Sequence, residues 1–442
     1  MHQICAWIST FFRLKEKNTT IKSEFYGGLT TFMAMCYVVF VVPGMLADTG
    51  MPREAAITAL ICITAAVTLV MGLWANFPVG VAPGLGISAF FAYYVCGTLG
   101  LPWQTALGAV FISGVVFLIL TITRLRQMII NAVPMDLKYA IVAGIGAFIA
   151  LIGLKNCGIV AAHPQNFVTL GNIGAPSALL ALLGVCLISA MMARGIRVAI
   201  PLGILIVTII GMLTGQVTVP SSITDIVTLS VPSPAPLFGQ LDIAAALQYG
   251  LVSIIFTITM VDLFDNIGTL IGLSRKANIM DDKGNTPGMD KALVTDSVGA
   301  IASACVGMPT VTAYIESASG IAAGGRSGLT AVFVAIFFLL TLFFVPLVAL
   351  VPGFATAPAL VIVGALMMQE VVHINFKDFR IALPAFLTIV MMPFTFSIAS
   401  GFGFGFISYV LLYALSGKIR VVSPIMWIIS ICFAVNFALR LA

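Results

Sequence analysis

The chain predicts an all-α polytopic membrane protein of about fourteen transmembrane helices. They form two inverted seven-helix repeats, with the third and tenth spans broken at the midplane. Three observations carry this prediction. Of the 442 residues, 60% are hydrophobic and 8% charged, and the mean hydropathy is +1.14, a balance that excludes a water-soluble core. Apolar stretches of about 17 to 25 residues recur from end to end, each long enough to cross a bilayer. Finally, Lys and Arg collect on one side of the stretches so defined.

In order, the spans fall near 24–46, 56–76, 78–97, 103–123, 135–155, 176–193 and 197–217, then 245–273, 291–307, 310–324, 328–350, 355–372, 380–397 and 400–417. No room remains for a folded soluble domain, so residues 1–442 read as one membrane domain. A last apolar piece, 421–439, is left unplaced, as a fifteenth crossing or a helix lying against the bundle. Arg13, Lys15, Lys17 and Lys22 precede the first span without a small-residue cleavage site, so a cleaved signal peptide is not expected.

Eighteen of the 21 Lys and Arg lie before span 1 or after an even-numbered span, and the 218–242 loop on the other side has none. The positive-inside rule then puts the N-terminus in the cytoplasm. The net charge of +5 reflects this topology rather than nucleic-acid binding. A helical, positive-inside pattern indicates the cytoplasmic (inner) membrane, since outer-membrane proteins are β-barrels.

Tyr26-Gly27-Gly28 in span 1 is echoed by Tyr249-Gly250 in span 8, and Leu107-Gly108-Ala109-Val110-Phe111 by Leu329-Thr330-Ala331-Val332-Phe333. Because seven is odd, a second copy enters the membrane upside down, as in many secondary transporters. Spans 3 and 10, at matching positions, carry Pro78-Val79-Gly80-Val81-Ala82-Pro83-Gly84-Leu85-Gly86-Ile87-Ser88 and Pro309-Thr310-Val311-Thr312-Ala313-Tyr314-Ile315-Glu316-Ser317. These Pro-, Gly- and Thr-rich stretches suit a short extended piece followed by a half-helix, whose N-terminus presents free N–H groups near the membrane centre.

The candidate functional residues are acids. Asp262 and Asp265 share one helix face inside an apolar run, and Glu316 stands at the start of the second half-helix. A charge at the bilayer centre costs roughly 2.5 to 3.5 kcal/mol on insertion scales, and no intramembrane Lys or Arg stands near in sequence. Two carboxylates at i and i+3 repel, so one of them holds its proton more readily. That is what coupling to a proton requires, and Asp262, Asp265 and Glu316 are the candidates for it. Asp296 and Glu370, near span ends, read as structural. The eight cysteines are scattered without a CxxC pair, and His2, His163 and His373 sit at the terminus or at span ends. Disulfides, a metal site, a cofactor and a histidine-based enzyme centre are therefore not expected.

Three stretches together resemble the signatures of the nucleobase:cation symporter-2 family, and within it the adenine/guanine/hypoxanthine permease branch. They are 261–272 (Val-Asp-Leu-Phe-Asp-Asn-Ile-Gly-Thr-Leu-Ile-Gly), Thr312 to Ile321, and Gly324-Gly325-Arg326-Ser327-Gly328-Leu329-Thr330-Ala331. The resemblance spans nearly the whole chain, including Gly28-Leu29-Thr30-Thr31-Phe32. It implies a core of spans 1–4 and 8–11 (about 24–123 and 245–350) and a gate of spans 5–7 and 12–14 (about 135–217 and 355–417). It also implies uptake of a purine base with a proton, and it admits a homodimer. By position, Asp262 and Glu316 match acids that hold the base, Asp265 an acid tied to transport, and Tyr314 an aromatic of the binding site. Ser88 and Val42 depart from the family pattern, which commonly has Asn at both.

The chemistry agrees with that expectation. A purine offers N–H donors and ring N acceptors on one flat edge, and a carboxyl group can meet both. Tyr314, Phe90 and Phe91 are the candidates for stacking, and Ile87, Ser88 and Thr312 for the remaining lining. The expected function is import of adenine, guanine or hypoxanthine, with xanthine or uracil as alternatives. An anion transporter of the same architecture is disfavoured, because three acids would repel its cargo. An intramembrane aspartyl protease is more remote, since Gly-x-Gly-Asp does not occur.

Overall fold

The computed structural model describes residues 2–123, 125–165, 167–248, 252–277, 279 and 286–441, except for some side chains within helices. Among these residues a helical segment lies at each of the fourteen expected spans, and eight helices are long and apolar enough to cross a membrane.

After a short α1 (His2–Phe11), the first span is built from α2 (Ile21–Met35) and α3 (Val38–Ala47). Thr20 starts α2 by accepting the Ser23 N–H on its hydroxyl at 3.2 Å. At the join, the N–H groups of Val39 and Phe40 reach back three residues to Cys36 and Tyr37, and Pro43 brings no N–H to the next turn. The join therefore turns Tyr37 into the bundle, where it is fully buried. Span 2 is α4 (Arg53–Leu73), started behind Pro52.

Span 3 is broken as expected. A strand, β1 (Val81–Pro83), gives way at Gly84 to α5 (Leu85–Ala89), which continues as a π-helix over Phe90–Thr98. Next come α6 (Trp103–Ile122), a short α7 (Leu125–Ala132) and α8 (Met135–Asn156). An exposed hairpin of β2 (Val160–His163) and β3 (Phe167–Leu170), not expected from the sequence, leads to α9 (Pro176–Ala193) and α10 (Ala199–Leu213).

The second half repeats this order. The expected span 245–273 comprises a short α11 (Ile243–Gln248) and α12 (Val252–Lys276), with 249–251 outside the described residues. Then follow α13 (Met289–Cys305), β4 (Val311–Ala313), α14 (Ser317–Ala322), α15 (Gly328–Leu340) and α16 (Val345–Leu350). The set closes with α17 (Gly353–Met368), α18 (Phe379–Phe394) and α19 (Ile398–Leu415). β1 and β4 pair antiparallel, Val81 opposite Ala313 and Pro83 opposite Val311, the relation expected of copies inserted in opposite senses.

The unplaced C-terminal piece forms α20 (Pro424–Leu441). It runs back along α19: Ser430 Oγ donates to the Phe406 carbonyl at 3.1 Å, and Phe437 lies against Phe404. Phe433 also meets Phe256 of α12. It is thus a helix packed antiparallel on span 14.

Two groups of helices pack mainly among themselves. In one, α2 touches α14 and α15, α4 touches α15 and α13, and α6 touches α12 and α13; in the other, α8 packs on α17 and α18, α9 on α10 and α17, and α18 on α19. At the end expected to be cytoplasmic, Glu24 of α2 is fully buried and caps α15. Its carboxylate accepts the N–H groups of Arg326, Ser327 and Thr330 at 2.9 to 3.2 Å and the Thr330 hydroxyl at 2.5 Å. A carboxylate here satisfies donors that a helix N-terminus leaves over and complements its dipole. Beside it Lys17 donates to the Asn76 carbonyl at 2.8 Å, and burial lowers its amine to about 8.

Candidate functional site

The site grows from the strand crossing. Two extended segments inside a membrane leave backbone groups that need partners, and here each supplies the other's. The Gly84 N–H donates to Thr310 O and the Tyr314 N–H to Gly80 O, both at 3.0 Å. The outer edge of β1 is closed by Thr68, whose hydroxyl bonds both the N–H and the carbonyl of Val81 at 2.9 Å. The Gly80 N–H is taken by Ser317 Oγ at 3.0 Å. From this ribbon the two half-helices leave in opposite directions.

Glu316 is the residue before α14, partly exposed, and its Oε1 accepts the Tyr37 hydroxyl at 2.6 Å. Tyr37 went unnoticed in the sequence because one aromatic in an apolar span carries no pattern. The Tyr314 hydroxyl donates to the Pro83 carbonyl at 2.6 Å. That hydroxyl fastens the ribbon. Thr312 sits on β4 opposite Ala82 and is buried.

On the other half-helix Ile87, Ser88, Phe90 and Phe91 are all buried, and Phe90 stacks on Tyr94 with ring centroids 5.1 Å apart. Ser88 Oγ has no hydrogen-bond partner among the described residues. Asp262, 1% exposed, projects from α12, which packs against β4, α14 and α5. One turn on, Asn266 is fully buried and neither polar atom of its amide finds a partner among the described residues. The Asp265 side chain lies outside the described residues. The structure thus gathers Glu316, Tyr314, Thr312, Ser88, Ile87 and Phe90 on the two crossing segments and packs the Asp262 helix against them.

A buried cation stands on a neighbouring helix. Arg126 of α7, whose charge fits the loop expected between spans 4 and 5, is 1% exposed. It pairs with Asp296 of α13, Nη2 to Oδ2 3.6 Å, and its guanidinium lies over the Phe117 ring, 4.1 Å from the centroid. α7 also packs on α12.

At the opposite end, the Tyr93 hydroxyl donates to Asp48 Oδ2 at 2.9 Å and accepts from Asn156 Nδ2 at 2.7 Å. Lys155 Nζ lies 5.0 Å from the centre of the Phe396 ring. This chain of contacts ties spans 1 and 3 to spans 5 and 13.

Comparison with known proteins gives a consistent result. The sequence model described as "Permease family" matches residues 22–404. A putative permease of Methanocaldococcus jannaschii is 45% identical over 98% of this chain and 99% of its own. The adenine permease AdeP of Escherichia coli is 42% identical over 96% of this chain and 94% of its own. The guanine/hypoxanthine permease PbuO of Bacillus subtilis is 41% identical over 96% and 99%. Among solved structures, the transmembrane domain of the cyanobacterial bicarbonate transporter BicA superposes with a TM-score of 0.64 over 86% of this chain and 97% of its own, at 19% identity. SLC26A9 gives 0.64 over 94% and 69%, at 12% identity. These two share the fold.

Proposed function

Because the chain belongs to this permease family, a family of transporters rather than enzymes, we propose that it carries a purine base inward together with a proton. Its cargo would be adenine, guanine or hypoxanthine, as the names of its relatives suggest. The observation that carries the reading is Glu316, held by the Tyr37 hydroxyl at the start of a half-helix, on a segment that packs against the Asp262 helix. Such a carboxylate accepts from purine N–H groups, and a protonated acid opposite donates to a ring nitrogen. The Ser88 hydroxyl and the Asn266 amide support it. A buried polar group without a partner costs about 1 to 3 kcal/mol, which suits groups whose partners arrive with a polar ligand. Tyr314 and Phe90 would bound the flat faces of the ring. An anion cargo, which the fold of BicA invites, is opposed by the two acids Asp262 and Glu316.

Asp262 and Asp265 are assigned to proton coupling, with the N-terminus in the cytoplasm. Transport would proceed by movement of the group containing spans 1–4 and 8–11 against that containing spans 5–7 and 12–14. The separate packing of these groups supports this, as does the Asp48, Tyr93 and Asn156 bridge, a closure between them on the outer side. Cysteines introduced at Asp48 and Asn156 and then cross-linked are expected to stop uptake, and reduction to restore it. Undiminished uptake by the linked protein would rule the movement out.

The cargo is tested by uptake of radiolabelled adenine, hypoxanthine, guanine, xanthine and uracil into cells lacking their own permeases, with and without a protonophore. Protonophore-sensitive uptake of one purine is expected. Uptake of uracil alone, or of no base by protein shown to be in the membrane, would overturn the assignment.

A further inference from the structure

Arg126 is a buried cation that the transport scheme above does not use. We propose that it is the exchangeable counter-ion of proton coupling: it pairs with Asp296 while Asp262 carries a proton, and turns to Asp262 when that proton leaves. The inference rests on the proton-coupled reading and deepens it.

Four features point this way. A guanidinium 1% exposed to solvent needs a carboxylate, because an unpaired buried charge costs several kcal/mol. The partner it has, Asp296, stands at 3.6 Å, well beyond the roughly 2.7 to 2.9 Å of a charge-assisted hydrogen bond. Its Nε and Nη2 have no hydrogen-bond partner among the described residues. Among the described residues Nη1 has a 3.4 Å contact with the Thr121 hydroxyl, which is itself engaged with Phe117 O and Ser297 Oγ. Donors therefore remain for a second acceptor. The Phe117 face supports the guanidinium without fixing its rotation.

The groups facing Arg126 come from four elements. α6 brings Phe117 and Thr121, neither an acid nor a base, and α13 brings Asp296. α12, which packs on α7, brings the buried Asp262, and its Asp265 and Arg275 side chains lie outside the described residues. α20 packs against α7 with no carboxylate or amine among its described side chains. One guanidinium between Asp262 and Asp296 is neutralised with one carboxyl to spare, so a single proton makes the trio neutral. When Asp262 releases that proton to the inner water its carboxylate appears, and Arg126, protonated throughout, shifts its charge toward it. No bond to Arg126 breaks.

The test is purine binding to purified wild-type protein, Arg126→Gln, Arg126→Lys and Asp296→Asn across a pH series, beside protonophore-sensitive uptake by the wild type. Without the cation, the Asp262 carboxylate is costlier and binding should persist to higher pH. The midpoint of its loss is expected to move up by roughly one to three pH units in Arg126→Gln and to return toward wild type in Arg126→Lys. Asp296→Asn removes the competitor, leaves Arg126 to Asp262, and should move the midpoint down. Midpoints that stay put, or that move the same way in Arg126→Gln and Asp296→Asn, overturn the proposal. If Arg126→Gln does not reach the membrane, the Asp296→Asn direction decides. Wild-type binding that ignores pH, with uptake that ignores the protonophore, would instead remove the proton-coupled reading itself.

Discussion

Glu316→Gln is expected to lower purine uptake by roughly 30- to 150-fold at unchanged protein level in the membrane, since a hydrogen bond to a charged group is worth about 2 to 3 kcal/mol. The carboxylate has to accept twice, once from the Tyr37 hydroxyl and once, on the proposed function, from the base. A glutamine has one acceptor oxygen for both and turns an N–H₂ group toward one of the two donors. Tyr37→Phe should cost less, about 1 kcal/mol or roughly fivefold, because the carboxylate stays and loses one orienting contact. Uptake assays with the membrane level of each variant measured alongside decide the matter. Near-normal transport by Glu316→Gln would remove Glu316 from the site.

Gly320→Ala is the second large effect. A methyl group there would collide with Thr31 Oγ1 and the Gly27 carbonyl, the latter belonging to the backbone of the neighbouring helix. α2 meets α14 at this point through Gly27 and Gly320, and meets the turn after α14 at Gly325, whose Cα would lie 2.8 Å from a Cβ at Gly27. Backbone cannot rotate aside, so the added methyl must push the two helices apart, at about 1 to 3 kcal/mol for an overpacked site. Because α14 begins one residue after Glu316, that displacement also moves the carboxylate relative to Tyr37. Loss of most uptake together with a lower melting temperature in detergent is the expected result. Gly353→Ala, where nothing lies within 4 Å of an added Cβ, is the control. Full activity in Gly320→Ala would show that this contact is looser than the structure has it.

The fourteen segments could be read from the sequence because lipid imposes length and apolarity on every span, so hydropathy alone marks where α4, α8 or α15 must lie. The two breaks were legible for a related reason. Pro78, Pro83 and Pro309 cannot serve a continuous helix, and acids in lipid are too costly to be incidental, which is why Asp262 and Glu316 stood out. What hydropathy cannot encode is who meets whom. Tyr37 is one aromatic among many, and it becomes a candidate only because the α2–α3 join turns it toward Glu316. Arg126 was hidden by its surroundings, since a basic residue between spans 4 and 5 fits the cytoplasmic loop that charge counting assigns. Only the return of α7 against α12 and α13 buries it. Glu24 likewise looks like one more charge flanking the first span, until the N-terminus of α15 arrives from the other half of the chain.

The β1–β4 ribbon also bears on how the protein is made. Its partners lie about half the chain apart, Val81 against Ala313, and hydrocarbon offers a bare strand no substitute hydrogen bonds. Span 3 therefore emerges from synthesis with only the Thr68 edge of its extended backbone satisfied, and its inner edge must wait, shielded by its neighbours or by the insertion machinery, until span 10 follows. The first half of the chain is not a smaller transporter but an unfinished one. Closure of the ribbon marks the earliest moment at which the two halves become a single folded unit.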